Sequence, residues 1–209
     1  MAQLILVRHG ITNWNKEGKW HGQTDISIND EGKAEAKKAA ETIKDLKIDQ
    51  VYTSALKRTQ ETFAEMNTVL NLNLEVTQSA ELNERDYGIY NGKNKWEVKE
   101  EVGEEQFNHI RRDWDCPIPQ GESLKQVYER AVPYFEQHVL PSLKSGQNVM
   151  IVTSGNTLRA LTKYLENIPD DKIADKQINF GEIDIYTLDK EGKVIDKETR
   201  AGDLYQGKH

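Results

Sequence analysis

Leu4-Ile5-Leu6-Val7-Arg8-His9-Gly10 is the stretch that decides how this chain is read. Four apolar residues in a row predict a buried β-strand. They deliver a cation, an imidazole and a glycine to the point where the strand stops. In an open parallel sheet, ligands bind in the crevice beyond the carboxyl ends of the strands. Gly10 has no Cβ, so the backbone can turn sharply there and approach a ligand closely. Arg8 offers a planar donor fork that suits phosphate. His9 can attack through one ring nitrogen while the other is held by a hydrogen bond. Taken alone, the tripeptide also fits an N-terminal strand ending in a polar loop, because short motifs arise by chance.

Working outward, a polar loop follows from Ile11 to Asn29, with Gly18 and Gly22. The helical spacing of Ala36, Ala39, Ala40, Ile43 and Leu46 predicts a helix from Asp30 to Leu46. Gln50 to Thr53 reads as a strand, with Ser54 placed to cap the helix that carries Arg58, Thr62 and Met66. Leu72 to Val76 is a third short strand. Helical content is expected from Trp96 to Trp114, then a loop at Pro117 and Pro119. Glu122 to Leu140 reads as a helix that Pro133 should kink or restart. The strand Asn148 to Thr153 runs into Ser154-Gly155-Asn156 and a further helix, and Asp184–Leu188 with Lys193–Asp196 reads as a terminal hairpin. Strands alternating with helices give an α/β class with a largely parallel sheet. If the strands before Arg8 and Ser154 are neighbours, their polar ends share one crevice. No repeat, linker or second domain is evident.

The 209 residues suit one domain with a substantial core. A net charge of −7 without a basic block argues against a nucleic-acid partner. Local basic groups at Arg8, Arg58 and Arg111-Arg112 can still make a positive pocket. The single Cys116 rules out an intramolecular disulfide and fits a reducing compartment. The chain shows neither a signal pattern nor an apolar run of membrane-spanning length, so no membrane partner and a cytoplasmic location are expected.

The chain resembles the histidine phosphatase superfamily, and within it the 2,3-bisphosphoglycerate-dependent phosphoglycerate mutases. The resemblance runs nearly end to end: Leu6-Val7-Arg8-His9-Gly10, Trp14-Asn15, Gly32 with Glu35-Ala36, and Thr53 to Arg58. It continues through Leu82-Asn83-Glu84-Arg85-Asp86-Tyr87-Gly88, Gly92-Lys93-Asn94-Lys95, Arg111-Arg112, Gly121 to Lys125 and Gly155 to Leu161. It implies a single phosphoglycerate mutase-like domain over residues 1–209, of three layers, with a largely parallel central sheet flanked by helices. It also implies that His9 carries a phosphoryl group, gives it to a monophosphoglycerate and recovers it from the other hydroxyl. The implied primer is 2,3-bisphosphoglycerate, with no metal; phosphoryl transfer needs positioning and charge neutralisation above all. Arg8 and Arg58 would supply the charge, and Glu84 would move the proton of the accepting hydroxyl. Arg85, Tyr87, Lys95, Arg111 and Arg112 would hold the substrate's carboxylate and second phosphate. Asn15, His21, Gly22, Gly155 and Asn156 would line the pocket. Each has a plainer reading, as a solvated helix face for Arg111-Arg112 or a packing role for Tyr87. Trp14, Trp20, Trp96 and Trp114 read as core or rim, and His109 and His138 as structural or exposed.

The chain departs from the family's pattern where a second histidine normally precedes Gly-Asn. Ser154 stands there. A serine hydroxyl can still donate a hydrogen bond, but it is shorter and uncharged, and charge-assisted bonds are about twice as strong. The resemblance thus implies a mutase site with one electrostatic element weakened, Ser154 occupying the catalytic position. Ile11 replaces the family's usual glutamate, and His21-Gly22-Gln23-Thr24-Asp25 looks more like phosphatase branches. The short stretch Asp113 to Gln120 lacks a long insertion, so a monomer or small homo-oligomer is expected. Three readings follow: a mutase, a phosphomonoester phosphatase of the same fold, and a catalytically impaired phospholigand-binding protein.

Overall fold

The structure is a computed structural model that describes residues 1–201. Its elements are, in order, β1 (Ala2–Arg8), α1 (Asn13–Lys16), α2 (Asp30–Glu41), β2 (Gln50–Ser54), α3 (Lys57–Leu70) and β3 (Val76–Ser79). There follow α4 (Lys95–Val102), α5 (Glu104–Arg112), α6 (Leu124–Tyr134), α7 (Leu140–Lys144), β4 (Val149–Thr153), α8 (Gly155–Glu166), β5 (Ile183–Leu188) and β6 (Val194–Arg200). The six strands form one sheet in the order β3-β2-β4-β1-β5-β6. β1 to β4 are mutually parallel, whereas β5 and β6 run antiparallel.

Alternation along β1 builds both sides of the core, as the period of a strand requires. Leu4 and Leu6 pack with Val132, Phe135, Leu158 and Leu161 on the α6/α8 side. Ile5 and Val7 pack with Ala36, Ala40, Phe63 and Met66 on the α2/α3 side. The result is the three-layer α/β fold.

Three local expectations need correction. α2 ends at Glu41 rather than Leu46: the Thr42 hydroxyl donates to Ala39 O at 2.7 Å, and Ile43 and Leu46 N–H bond three residues back in tighter turns. Ser54 does not cap α3. It ends β2 opposite Ser79, and its Oγ contacts Thr59 Oγ1 at 2.7 Å. The cap comes instead from the early loop, where Asp25 Oδ1 accepts from Lys57 N at 2.7 Å. β3 lies at 76–79 rather than 72–76, because pairing with β2 begins only at Val51 opposite Val76; Leu72 and Leu74 pack against the core without a ladder partner. The Trp96–Trp114 region is two helices, broken at Gly103 where φ is +82°. Pro133, expected to kink or restart this helix, lies inside α6, which runs on to Tyr134. The chain widens into a π turn at Phe135–Val139 shortly after it and continues into α7.

Candidate active site

β1 and β4 are parallel neighbours with Arg8 opposite Thr153, so Arg8-His9-Gly10 and Ser154-Gly155-Asn156 leave the sheet side by side. The His9 amide donates to Thr153 O at 2.9 Å and the Gly10 amide to Thr62 Oγ1 at 2.9 Å. A Cβ on Gly10 would lie 2.6 Å from Gly32 O, so only glycine lets this loop press against the start of α2. The loop thereby fixes His9. Its Nδ1–H donates to Gly10 O at 2.8 Å, which leaves Nε2 as the nitrogen available to a ligand. Burial, then the charges of Arg58 and Arg8 and the nearby His21, push the ring well below the usual histidine range. His9 is an uncharged imidazole with a free lone pair at neutral pH.

The two strand ends open on a cavity of about 210 Å³. Its walls carry six cationic side chains (Arg8, Lys19, Lys95, Arg111, Arg112 and Arg159) and one carboxylate, Glu84. Burial, then the repulsion among these cations, lowers Arg8 and Arg159 to about 10 and Lys95 to about 8. Such a surface inside a chain of net charge −7 is built for an anion. Three buried polar atoms at the His9 end have no hydrogen-bond partner among the described residues: Arg8 Nε, Arg58 Nε and Ser154 Oγ. An unpaired buried polar group costs about 1–3 kcal/mol. Of the three, Arg8 Nε belongs to a side chain that lines the cavity, while Arg58 and Ser154 lie behind its lining.

Glu84 is held by its surroundings rather than exposed on the surface. One oxygen, Oε1, accepts from Arg85 N at 2.8 Å and from Asn156 N at 3.1 Å in the first turn of α8. A carboxylate is favoured at a helix N-terminus. Because Glu84 takes that amide, Ser154 sits at the N-cap of α8 with no capping bond of its own. Arg130 fixes the segment from outside, pairing with Glu122 at 2.8 Å and donating to the Glu81, Asn83 and Glu84 carbonyls. Asn156 Nδ2 donates to Tyr87 Oη at 3.1 Å, and Asn156 Oδ1 accepts from Arg159 at 2.9 Å.

Of the residues expected from sequence, Arg8, His9, Asn15, His21, Gly22, Glu84, Tyr87, Lys95, Arg111, Arg112, Gly155 and Asn156 all line this cavity. Ser154 is fully buried beside it. Arg58 lies behind its wall, with Nη1 and Nη2 donating to the carbonyls of Thr24 and Gly22 at 2.9 and 2.8 Å. Its charge still acts on His9. Gly22 must be glycine: φ is +49°, and a Cβ would sit 1.9 Å from Asn91 Oδ1.

Arg85 departs from its expected role. Its guanidinium points away from the cavity and donates to the carbonyls of Glu122 at 2.6 Å and Ile110 at 3.0 Å, so it braces the wall. Trp20 is core and cavity wall at once, while Trp96 is half exposed. His109 is exposed and pairs with Asp113, and His138 packs on the Tyr134 ring.

Sequence reasoning missed Lys19, Trp20 as a lining residue, Arg159 and the segment Gln177–Phe180. Arg159 had a signal, standing one helical turn after Gly155 on the same face. Gln177–Phe180 had none, since no motif or periodicity marks it. That segment covers the cavity and is tied to its cations: Arg8 donates to Ile178 O at 2.6 Å, Arg112 to Gln177 Oε1 at 3.3 Å, and the Arg8 guanidinium lies 3.5 Å over the Phe180 ring.

A sheet crevice holding an uncharged histidine among arginines matches a known family of phosphoryl-transfer proteins. The family model for the histidine phosphatase superfamily (branch 1) matches residues 4–199, and the chain belongs to that superfamily. It is 41% identical over 198 residues to a 2,3-bisphosphoglycerate-dependent phosphoglycerate mutase of Parvibaculum lavamentivorans, covering 93% of this chain and 94% of that one. It is 39% identical to a phosphoglycerate mutase of Schizosaccharomyces pombe, again over 93% and 94% of the two chains. Among solved structures, a putative alpha-ribazole-5'-P phosphatase from Escherichia coli matches 100% of this chain and 99% of its own at a TM-score of 0.80 and 20% identity, a likeness of fold.

Proposed function

We propose that this chain is a 2,3-bisphosphoglycerate-dependent phosphoglycerate mutase, interconverting 3- and 2-phosphoglycerate through a phosphohistidine at His9. This interconversion belongs to glycolysis and gluconeogenesis. The reading includes a cytoplasmic location, a small-molecule partner only, and a monomer or small homo-oligomer. The observation that carries it is the two-ended cavity: uncharged His9 at one end and the Lys95, Arg111 and Arg112 cations along the other wall. A phosphatase needs to hold only the reacting phosphate. The far cations suit a substrate with a carboxylate and a second anionic group. The likeness to named mutases at 39–41% identity over 93% of the chain supports the same assignment.

When bound, 2,3-bisphosphoglycerate supplies the phosphoryl group that charges the enzyme. His9 Nε2 attacks the phosphorus while Gly10 O holds Nδ1–H; the N–P bond forms as the P–O bond to the sugar-acid oxygen breaks. Arg8 and Arg58 offset the charge on the phosphoryl oxygens, a role that a metal plays elsewhere. Glu84 moves the proton. Its carboxylate takes the proton of the hydroxyl that attacks phospho-His9 and later returns it to the oxygen that leaves. Arg111, Arg112, Lys95, Tyr87 and Asn156 hold the remainder of the substrate so that either hydroxyl can face His9.

A coupled assay for 3- to 2-phosphoglycerate conversion, with and without 2,3-bisphosphoglycerate, tests this. Turnover that depends on the primer is expected, with a base-stable phosphoryl adduct on His9 and loss of both in His9→Ala. Phosphate release without isomerisation would make the protein a phosphatase, and binding without either would make it a phospholigand-binding protein.

A further inference from the structure

The cavity holds a second imidazole that the mechanism above leaves without a chemical task. His21 is buried, lines the cavity, and has its ring centroid 6.1 Å from that of His9, with an interplanar angle of 55°. Each ring has one nitrogen tied to a neutral oxygen of its own loop. For His9 that oxygen is Gly10 O. For His21 it is the Thr12 hydroxyl, 2.6 Å from Nε2. Among the described residues, the His21 nitrogen without a hydrogen bond is therefore Nδ1, on a ring that lines the same cavity as His9. Trp14 packs against the outer side of His21, at 5.8 Å between centroids, and holds the ring against the site.

Thr12 is itself well anchored. Its hydroxyl accepts from Asn15 N at 3.1 Å, and both its hydroxyl and its amide lie within 3.1 Å of Asn15 Oδ1. With Asn15 Oδ1 as acceptor for the hydroxyl, Thr12 Oγ1 accepts from His21 Nε2–H. With the hydroxyl turned to His21 instead, Nε2 is the acceptor and the ring proton lies on Nδ1. The same three groups therefore satisfy either neutral form of the ring. Burial, then the charges of Arg58, Lys95 and Arg8, hold His21 down to about 2, so without an anion the ring is uncharged. A phosphoryl dianion would offset those charges.

We propose that His21 is a catalytic residue, binding the phosphoryl group carried by His9 through a hydrogen bond from its Nδ1–H. The inference rests on the mutase reading. It makes His21, rather than Ser154, the second side chain from which transfer in both directions draws most help. Ser154 Oγ is a buried, uncharged hydroxyl without a hydrogen-bond partner among the described residues. Either donor would make a charge-assisted bond to the anionic oxygen, but the His21 ring lines the cavity whereas Ser154 does not.

The experiment charges His9 with 2,3-bisphosphoglycerate, discharges it with 3-phosphoglycerate in rapid-quench single turnovers, and follows the adduct by intact mass at high pH. His21→Leu should slow both steps about a hundredfold, the scale of one lost transition-state donor. Its affinity for 3-phosphoglycerate should stay within about threefold, and Ser154→Ala should slow the steps by less than about tenfold. His21→Asn keeps an amide near Nδ1 and should be faster than His21→Leu. Ser154→His should restore part of the rate to His21→Leu while adding little to the parent, with melting curves to confirm that each variant folds. Should the leucine variant fail to fold, the unaltered protein still decides: inorganic phosphate should move the His21 Nδ1 resonance in nitrogen-resolved NMR. A His21→Leu enzyme that charges and discharges at the parent rate overturns the inference and leaves the mutase reading intact. So does an Nδ1 signal that stays still while His9 Nε2 responds. A parent protein that never charges His9 overturns both.

Discussion

The two ends of the cavity are made in different ways. The His9 end grows directly out of the sheet: Arg8, His9 and Ser154 follow β1 and β4, whose core residues are essentially without exposure. Its polar atoms are held by backbone groups, as His9 by Gly10 and Glu84 by two amides. The far end is carried by α4 and α5 around a small separate core of Trp20, Tyr87, Val98, Phe107, Ile110 and Ile118. Its cations Lys95, Arg111 and Arg112 are half-buried, and Arg111 rests on the Phe107 ring at 5.2 Å. A reacting group needs to be placed within a fraction of an ångström, which rigid strand ends provide. A group that only holds charge tolerates a looser mount. The division predicts that damage to the supports of the near end lowers the rate, whereas damage at the far end lowers selectivity.

The largest effect expected from a support residue is at Arg130. It does not line the cavity, yet its guanidinium ties Glu122 to the carbonyls of Asn83 and Glu84 beside the Glu84 carboxylate. The Arg130 and Glu122 side chains are only 17% and 21% exposed. Removing one member of such a pair leaves the other charge buried and unpaired, which typically costs 3–5 kcal/mol. Partial exposure places this pair at the lower end. Arg130→Met should therefore lose about 3 kcal/mol and about 10 °C of melting temperature in a chain of this size. Its kcat should fall more than its KM rises, because Glu84 loses its mount. A variant that melts within about 2 °C of the parent with unchanged kcat would mean that Glu84 is placed by something else.

How much of this was legible in the sequence follows the same division. The near end was readable because a strand followed by a polar tripeptide is a local signal, and β1 and β4 announce themselves by unbroken apolar runs. The positions of Lys95, Arg111 and Arg112 came from resemblance to a family, since a charge pair on a helix carries no direction of its own. Arg85 shows the limit: its neighbours Glu84 and Tyr87 face the cavity, while its guanidinium is turned to the Glu122 and Ile110 carbonyls. Only tertiary packing decides that. Ser54 is a similar case, where a good capping residue is overridden by strand pairing and Asp25 reaches in from a distant loop. The segment Gln177–Phe180 shows no periodicity: the cations it meets contact the Ile178 carbonyl, the Gln177 side chain and the Phe180 ring rather than one regular face.

At the far end, Arg111→Ala or Arg112→Ala should reduce mutase kcat/KM about ten- to a hundredfold, or about 1.4–2.8 kcal/mol. Hydrolysis of a small generic phosphate ester should change less than threefold, because that ester offers no carboxylate or second phosphate to these guanidiniums. The two assays on one protein preparation separate the ends of the cavity directly. Equal losses on both substrates would erase the distinction, since the pair would then act on the reacting phosphate or on the fold.

The smallest effect expected is a pH dependence, and it sharpens the comparison because its sign differs between binding and stability. Burial, then the charges of Arg111 and Arg8, opposed by Glu84, bring Lys95 to about 8 from an ordinary 10.5. Below that pH the ammonium is charged and attracts an anionic substrate. As pH rises through about 8, the free enzyme loses the proton, so KM for phosphoglycerate should rise a few-fold. The substrate phosphate is already dianionic there, its second pKa being about 6, and does not confuse the profile. Bound substrate offsets the neighbouring cations and retains the proton, so kcat should change less. Stability of the ligand-free protein moves the other way. Between about 8 and 10.5 the unfolded chain holds the proton that the folded one has lost, and stability rises with pH in that window. Lys95→Met should flatten the KM profile at its high-pH level and remove this rise. If parent and variant share one KM profile from pH 7 to 9.5, Lys95 does not hold the substrate, and the looser end of the cavity rests on the two arginines alone.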